Sequence, residues 1–120
     1  MARKDELGKT GEQRASEYLE AQGYCVLDRN WRCAQGELDI IARDGNTIAF
    51  VEVKTRTTRD FGHPFEAIDA RKRDRLWRLA HSWAREHPIA ARGMQLRLDA
   101  VGIVGADPAS ASLEHLVDLR

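Results

Sequence analysis

The chain has 120 residues, 42% apolar and 32% charged, and its 19 Lys/Arg balance its 19 Asp/Glu. That length suits one domain with a sizeable core, expected to span residues 1–120 with its centre at about 8–104, and zero net charge makes no global case for nucleic acid. No apolar run approaches the ~18 residues of a membrane span, and Met1 to Glu6 opens without an apolar segment, so a cytoplasmic protein without a membrane partner is expected.

Thr10 to Gln22 predicts a helix, with Thr10 and Gln13 as a capping box and Gly23 as its stop, although its start could lie nearer Asp5. Ala15, Tyr18, Leu19 and Gln22 trace its inner stripe. Glu12 stands three residues before Ala15 and seven before Leu19, on the inner edge of that stripe. Periodicity alone favours a bland role for Glu12, a first-turn acid on the helix dipole. Tyr24 to Leu27 reads as a short strand and Asp28 to Arg32 as a connection. Arg29 and Arg32 are expected to be solvated or paired within the protein, and Trp31 to pack in the core or at a sheet edge. Cys25 and Cys33 have no zinc spacing, and none of the four histidines clusters beside them.

Gly36 to Ile41 and Phe50 to Lys54 are rich in large apolar residues, and Asp44-Gly45-Asn46 between them is turn chemistry, which predicts a β-hairpin. Side chains alternate along a strand, so Ile48, Phe50, Glu52 and Lys54 share one face, and Ala49, Val51 and Val53 the other. In the first strand the same rule groups Glu37, Asp39 and Ile41 against Leu38, Ile40 and Ala42. A two-residue loop at Gly45-Asn46 sets Asp39 opposite Glu52. A loop at Asp44-Gly45 sets Glu37 there instead, with Asp39 diagonal. Either register gathers the carboxylates and Lys54, whereas a three-residue loop would separate them. Facing carboxylates on apolar strands repel, and either a hard cation or Lys54 could neutralise them.

Thr55 to Phe65 reads as a polar, basic loop leaving the strand end that carries Glu52 and Lys54; His63 within it has nothing to place it beside the acids. Ala67 to Arg85 predicts a second helix with Leu76, Leu79, Ala80 and Trp83 buried and Arg71, Arg75, Arg78 and Arg85 along another side. Met94 to Val104 predicts a strand with Met94, Leu96 and Leu98 on one face and Gln95, Arg97 and Asp99 on the other. Gly105 to Ser112 reads as a loop, and Leu113 to Leu119 as a short edge strand. From Lys54 to Arg97 there are eleven Lys/Arg against five Asp/Glu, and eight against fourteen elsewhere. An acidic strand pair beside a half carrying +6 suits a metal site next to a phosphate track.

Several of these residues form an ordered series: Gly11-Glu12, Tyr18-Leu19, Gly23-Tyr24, Arg29-Asn30, Gly36-Glu37-Leu38-Asp39, Phe50-Val51-Glu52-Val53-Lys54, Phe61-Gly62 and Leu98-Asp99. The series resembles the PD-(D/E)XK nuclease superfamily, which includes Holliday-junction resolvases, and more closely the YraN-like family of small bacterial endonuclease-like proteins. The resemblance spans roughly Gly8 to Val104. The elements read along the chain run α-β-β-β-α-β-β, a mixed β-sheet flanked by helices, and the resemblance implies an α/β, restriction-endonuclease-like single domain. It also implies Mg²⁺ (or Mn²⁺) held by Asp39, Glu52 and the main-chain carbonyl of Val53, with Lys54 positioning the attacking water or stabilising developing charge. Glu12 would hold a second metal or orient that water, and Asp99 matches a family position without a defined role.

The expected activity is therefore metal-dependent cleavage of DNA, with structured or branched DNA as a candidate substrate and a homodimer admitted. Arg56, Arg59, Arg71, Lys72, Arg75 and Arg78 form the expected phosphate track. Two readings compete with it. One is a nucleic-acid-binding module on the same fold that does not cut. The other is a structural or interaction protein in which Asp39, Glu52 and Lys54 form a buried ion network.

Overall fold

The computed structural model describes residues 2–58, 62–107 and 110–119. Its elements are α1 (Ala2–Ala21), β1 (Cys25–Cys33), β2 (Gly36–Asp44), β3 (Thr47–Arg56), α2 (Ala70–Glu86), the short α3 (Pro88–Ala91), β4 (Gln95–Val104) and β5 (Ser112–Leu116). A 3₁₀ turn over Pro64–Ala67 precedes α2. Apart from that turn and α3, this is the order the sequence predicts. The five strands lie side by side in chain order. Only the β3–β4 pair is parallel, because α2 carries the chain back across the sheet between them; the other pairs are antiparallel. The result is a mixed sheet with helices on both faces, consistent with a restriction-endonuclease-like fold.

Two cores sandwich the sheet. Ala15 and Leu19 of α1 pack with Ile40, Ala42, Ala49, Val51, Val101 and Ile103 on one face. On the other, Leu76, Leu79, Ala80 and Trp83 of α2 pack with Leu38, Ile41, Ile48, Phe50, Leu98 and Ala100. Those four α2 residues are the stripe read from the 3.6-residue period. In β3 and β4 the alternation runs unbroken, as a strand buried on both faces requires.

The β2–β3 loop is Gly45-Asn46, with Asp44 paired to Thr47, and Gly45 supplies the left-handed φ (+61°) such a hairpin needs. This is the first of the two predicted registers. The predicted faces of β2, however, need correction. Leu38 and Ile41, three residues apart, both join the α2-side core, while Ile40 and Ala42 join the other. Alternation slips at Asp39. The neighbouring strand yields at the same level, where Asn30 takes φ +53°, a conformation Asn tolerates better than most side chains.

Boundaries also move. α1 already runs from Ala2, so Thr10 and Gln13 lie inside the helix and form no capping box. Glu12 is likewise no first-turn residue, which removes its bland dipole role. Asp28 to Arg32 belongs to β1 and is no connection, because it pairs with β2 through Glu37. β5 ends at Leu116. No described helix is long and apolar enough to cross a membrane.

A candidate metal and nucleic-acid site

The last hydrogen-bonded β2–β3 pair is Ile40 with Val51. Beyond it Asp39 uses its side chain where a strand would use its backbone: the Val53 N–H donates to Asp39 Oδ2 at 2.8 Å. This open end of the hairpin forms one wall of a cleft of about 500 Å³. Asp39, Glu52, Lys54 and Arg56 line it from the strands, Glu12 from α1, and Lys72 and Arg75 from α2. α1 reaches the cleft because Gly11 lies against β3 so closely that a Cβ there would run into the Thr55 side chain. The two helices thus deliver groups from opposite faces of the sheet to one end of it.

Asp39 and Glu52 are hydrogen-bonded to each other and mostly buried. Burial and the facing Glu52 charge push the Asp39 carboxyl up to about 8, against the hydrogen bond from Val53. Burial also works against the Glu52 anion, but hydrogen bonds from Asp39 and Lys72 and the charges of Lys72 and Lys54 outweigh it, so its pKa is lowered. The two carboxyls titrate as a coupled pair, pushed in opposite directions because burial and a facing acid act on Asp39 while the lysines act on Glu52. Lys72 Nζ lies 2.9 Å from Glu52 Oε2, and Lys54 Nζ lies 3.6 Å from the same oxygen. Glu12 is raised by its own burial, opposed by a hydrogen bond with Asn30 and by Arg29, with Glu37 and Glu52 adding to the rise.

The arrangement suits a hard divalent cation on chemical grounds. Its donors are all oxygens, and two carboxylates forced together are relieved by positive charge. Among the described residues no group of three or more His, Cys, Asp or Glu side chains is gathered to hold a metal, so the Asp39–Glu52 pair is the extent of the acidic donor set.

The expected phosphate track divides. Arg56 and Arg75 line the cleft, and Arg71, Arg75 and Arg78 border an adjoining depression of about 360 Å³. Lys72, expected among them on the phosphate track, lines both and turns its ammonium onto Glu52. Arg59 lies outside the described residues. Asp69 caps α2 by accepting the Lys72 N–H at 2.8 Å, which fixes Lys72 in the first turn. The sequence held a signal for this: Lys72 stands four residues before Leu76 and seven before Leu79, on the buried stripe.

Other candidates lie elsewhere. Arg29 donates to Gln13 at 2.8 Å, Arg32 pairs with Glu37 at 3.0 Å, and Trp31 packs on the α2-side core. His63 pairs with Glu114 at 3.1 Å, away from the acids. Cys25 and Cys33 are free thiols. Asp99 is wholly buried and held by Arg97 (2.8 and 2.9 Å), His115 (2.8 Å) and the Asp118 N–H (3.0 Å).

Fold and site together define a small α/β domain with a carboxylate–lysine cleft at the open end of a central hairpin. The chain belongs to the family described as uncharacterised protein family UPF0102, whose model matches residues 11–103. It is 50% identical to a UPF0102 protein of Leifsonia xyli over 117 residues, covering 97% of both chains. It is 49% identical to that of Paenarthrobacter aurescens, covering 97% of this chain and 94% of the relative, and 49% to that of Beutenbergia cavernae, covering 97% of both.

Proposed function

We propose that the protein is a metal-dependent DNA endonuclease of the PD-(D/E)XK type. The observation that carries this reading is the cleft, where a buried pair of acids meets Lys54 beside the basic face of α2. Asp39, Glu52 and the Val53 carbonyl would hold Mg²⁺ or Mn²⁺, which when bound polarises a phosphodiester and acidifies a water. Lys54 then faces the negative charge that develops on the phosphate. Arg56, Arg71, Arg75 and Arg78 hold the DNA backbone against the cleft, and Glu12 closes it from the α1 side. Lys54→Ala is expected to leave most DNA binding intact and abolish cleavage, because one charge among several adds little affinity.

The test is Mg²⁺- or Mn²⁺-dependent cleavage of duplex, single-stranded, flapped and four-way-junction DNA, with the Glu52→Ala protein alongside. Cleavage by the parent and none by the variant supports the reading. If the parent cuts nothing with either metal, the nuclease reading fails. One observation favours the rival ion network: Lys72 already neutralises Glu52 at 2.9 Å. Melting with low-millimolar Mg²⁺ or Mn²⁺ separates the two, since a cation bound only by the folded state raises Tm and a lysine-neutralised network gives no shift.

A further inference from the structure

Two lysines converge on one oxygen of Glu52, and they come from different elements. Lys54 follows Glu52 on β3 and approaches Oε2 to 3.6 Å. Lys72 comes from α2 and approaches the same atom to 2.9 Å, a charge-assisted hydrogen bond. Its placement is otherwise unfavourable. It lies in the first turn of α2, where the helix dipole opposes a cation, and its side chain is only 23% exposed. Nor is it the only cation of α2 here: Arg75, one turn further along, lines the same cleft, and Arg71, Arg75 and Arg78 border with Lys72 the adjoining depression. The α2 register, set by Asp69, lets the Lys72 ammonium reach the acid from the rim of the depression that its arginine neighbours also border.

We propose that Lys72 is a placeholder for the cation: it occupies Glu52 Oε2 in the metal-free protein, must yield that oxygen when the metal binds, and is then released to the substrate phosphate. The inference rests on the metal-nuclease reading above. Lys72 accordingly acts first through Glu52 and only then on the phosphate. An ion that must displace an ammonium from its ligand binds more weakly than it would to a free carboxylate. The same displacement leaves a cation beside the scissile phosphate only once the metal is in place. Metal loading and backbone recognition become linked through one side chain.

The test measures Mn²⁺ binding by calorimetry, without DNA, for the parent protein and for Lys72→Met, Lys72→Arg and Lys54→Met. Removing the competitor should tighten Mn²⁺ about tenfold in Lys72→Met, the scale of one hydrogen bond to a charged group. Lys54→Met, which removes the longer interaction, should tighten it less, and Lys72→Arg should stay near the parent. Single-turnover cleavage by Lys72→Met should be slower despite its tighter metal, a split that loss of fold would not produce. Should Lys72→Met unfold, Lys72→Gln, which keeps a donor without the charge, takes its place. Unchanged or weaker Mn²⁺ binding in Lys72→Met, or in Lys72→Gln where that takes its place, overturns the placeholder and leaves the nuclease reading standing. Absence of Mn²⁺ binding by every protein, parent included, overturns both.

Discussion

One sheet holds two buried carboxylate centres built on opposite principles. At Asp99 every acceptor position is answered: Arg97 grips both oxygens, His115 donates to one and the Asp118 N–H to the other. A second ring of partners backs the first, with Tyr24 accepting from Arg97 at 2.8 Å and Tyr18 bonded to His115 at 3.1 Å. Burial pushes the Asp99 carboxyl up, but those hydrogen bonds win and hold it below the usual range. At Asp39 burial is instead reinforced by a second acid, and the pKa rises. Both centres surrendered hydration; the first recovered it on both oxygens, whereas at the second Asp39 gains a backbone donor from Val53 but faces another acid. A satisfied network of this kind fixes structure: it ties β5 and the following turn to β4. Two facing acids in an open cleft, one of them with a raised pKa, are the arrangement a ligand would complete.

The sharpest way to break this comparison is to remove Asp99. Asp99→Ala strands Arg97 and His115 without their acceptor and is expected to destabilise the protein by ~3–5 kcal/mol, read from urea or thermal unfolding. Replacing both partners, as in Arg97→Met with Asp99→Leu, should lose less than Asp99→Ala alone. A single-variant loss below ~1 kcal/mol would mean the network is ornamental. The two centres should also pull stability in opposite directions with pH. Asp99 has a depressed folded-state pKa, so its contribution is present above the unfolded value of 3.8 and is lost as pH falls through the folded one. Asp39 has a raised one, so between 3.8 and about 8 the folded state binds the extra proton and stability falls as pH rises through that window. Unfolding curves in metal-free buffer from pH 3 to 9, for the parent and each variant, separate the two slopes.

The Asp99 centre is the less legible of the two in the sequence. Strand parity places Arg97 and Asp99 on one face, but His115, Tyr18 and Tyr24 arrive from other elements, and nothing local in the chain announces such a meeting. The hairpin site is more legible because its chemistry lies within two neighbouring strands, where period and turn length decide which side chains meet. Even there parity misleads at one point. It assigns Leu38 to the wrong group because a left-handed Asn30 and the slip at Asp39 are concerted between β1 and β2. The stretch Asp28 to Arg32 is too polar to read as a strand, yet it pairs because Gly36 to Ile41 offers it an edge. Lys72 escapes for a different reason. The stripe arithmetic that brings Glu12 to notice applies equally to Lys72, but the arginines around it suggest one solvated basic face.

A smaller effect sharpens the division between the cleft and the basic face of α2. Charge reversal at Arg71, Arg75 and Arg78 should weaken DNA binding across unrelated sequences. It should also flatten the salt dependence by ~0.9 log unit per log unit of salt for each phosphate no longer neutralised. Affinities at several salt concentrations give the slope directly. Were these variants to bind like the parent, the α2 face would be merely solvated, and the +6 charge between Lys54 and Arg97 would have another purpose.

The smallest expected change is also the most diagnostic of the acid pair. Asp39→Asn removes one charge from a site where two acids face each other, yet keeps an amide oxygen to accept the Val53 N–H. Like charges opposed across strands cost a few tenths to ~1 kcal/mol, so the metal-free variant should gain about that much stability at pH 8. The gain should shrink towards pH 4, where Asp39 in the parent is already protonated and the substitution changes little. A structural ion network predicts the reverse, because Lys72 and Lys54 would lose part of the negative charge that holds them and several kcal/mol with it. Denaturant melts of the two proteins at pH 5 and pH 8, with chelator present, decide between a site strained while it waits for a ligand and a network already complete.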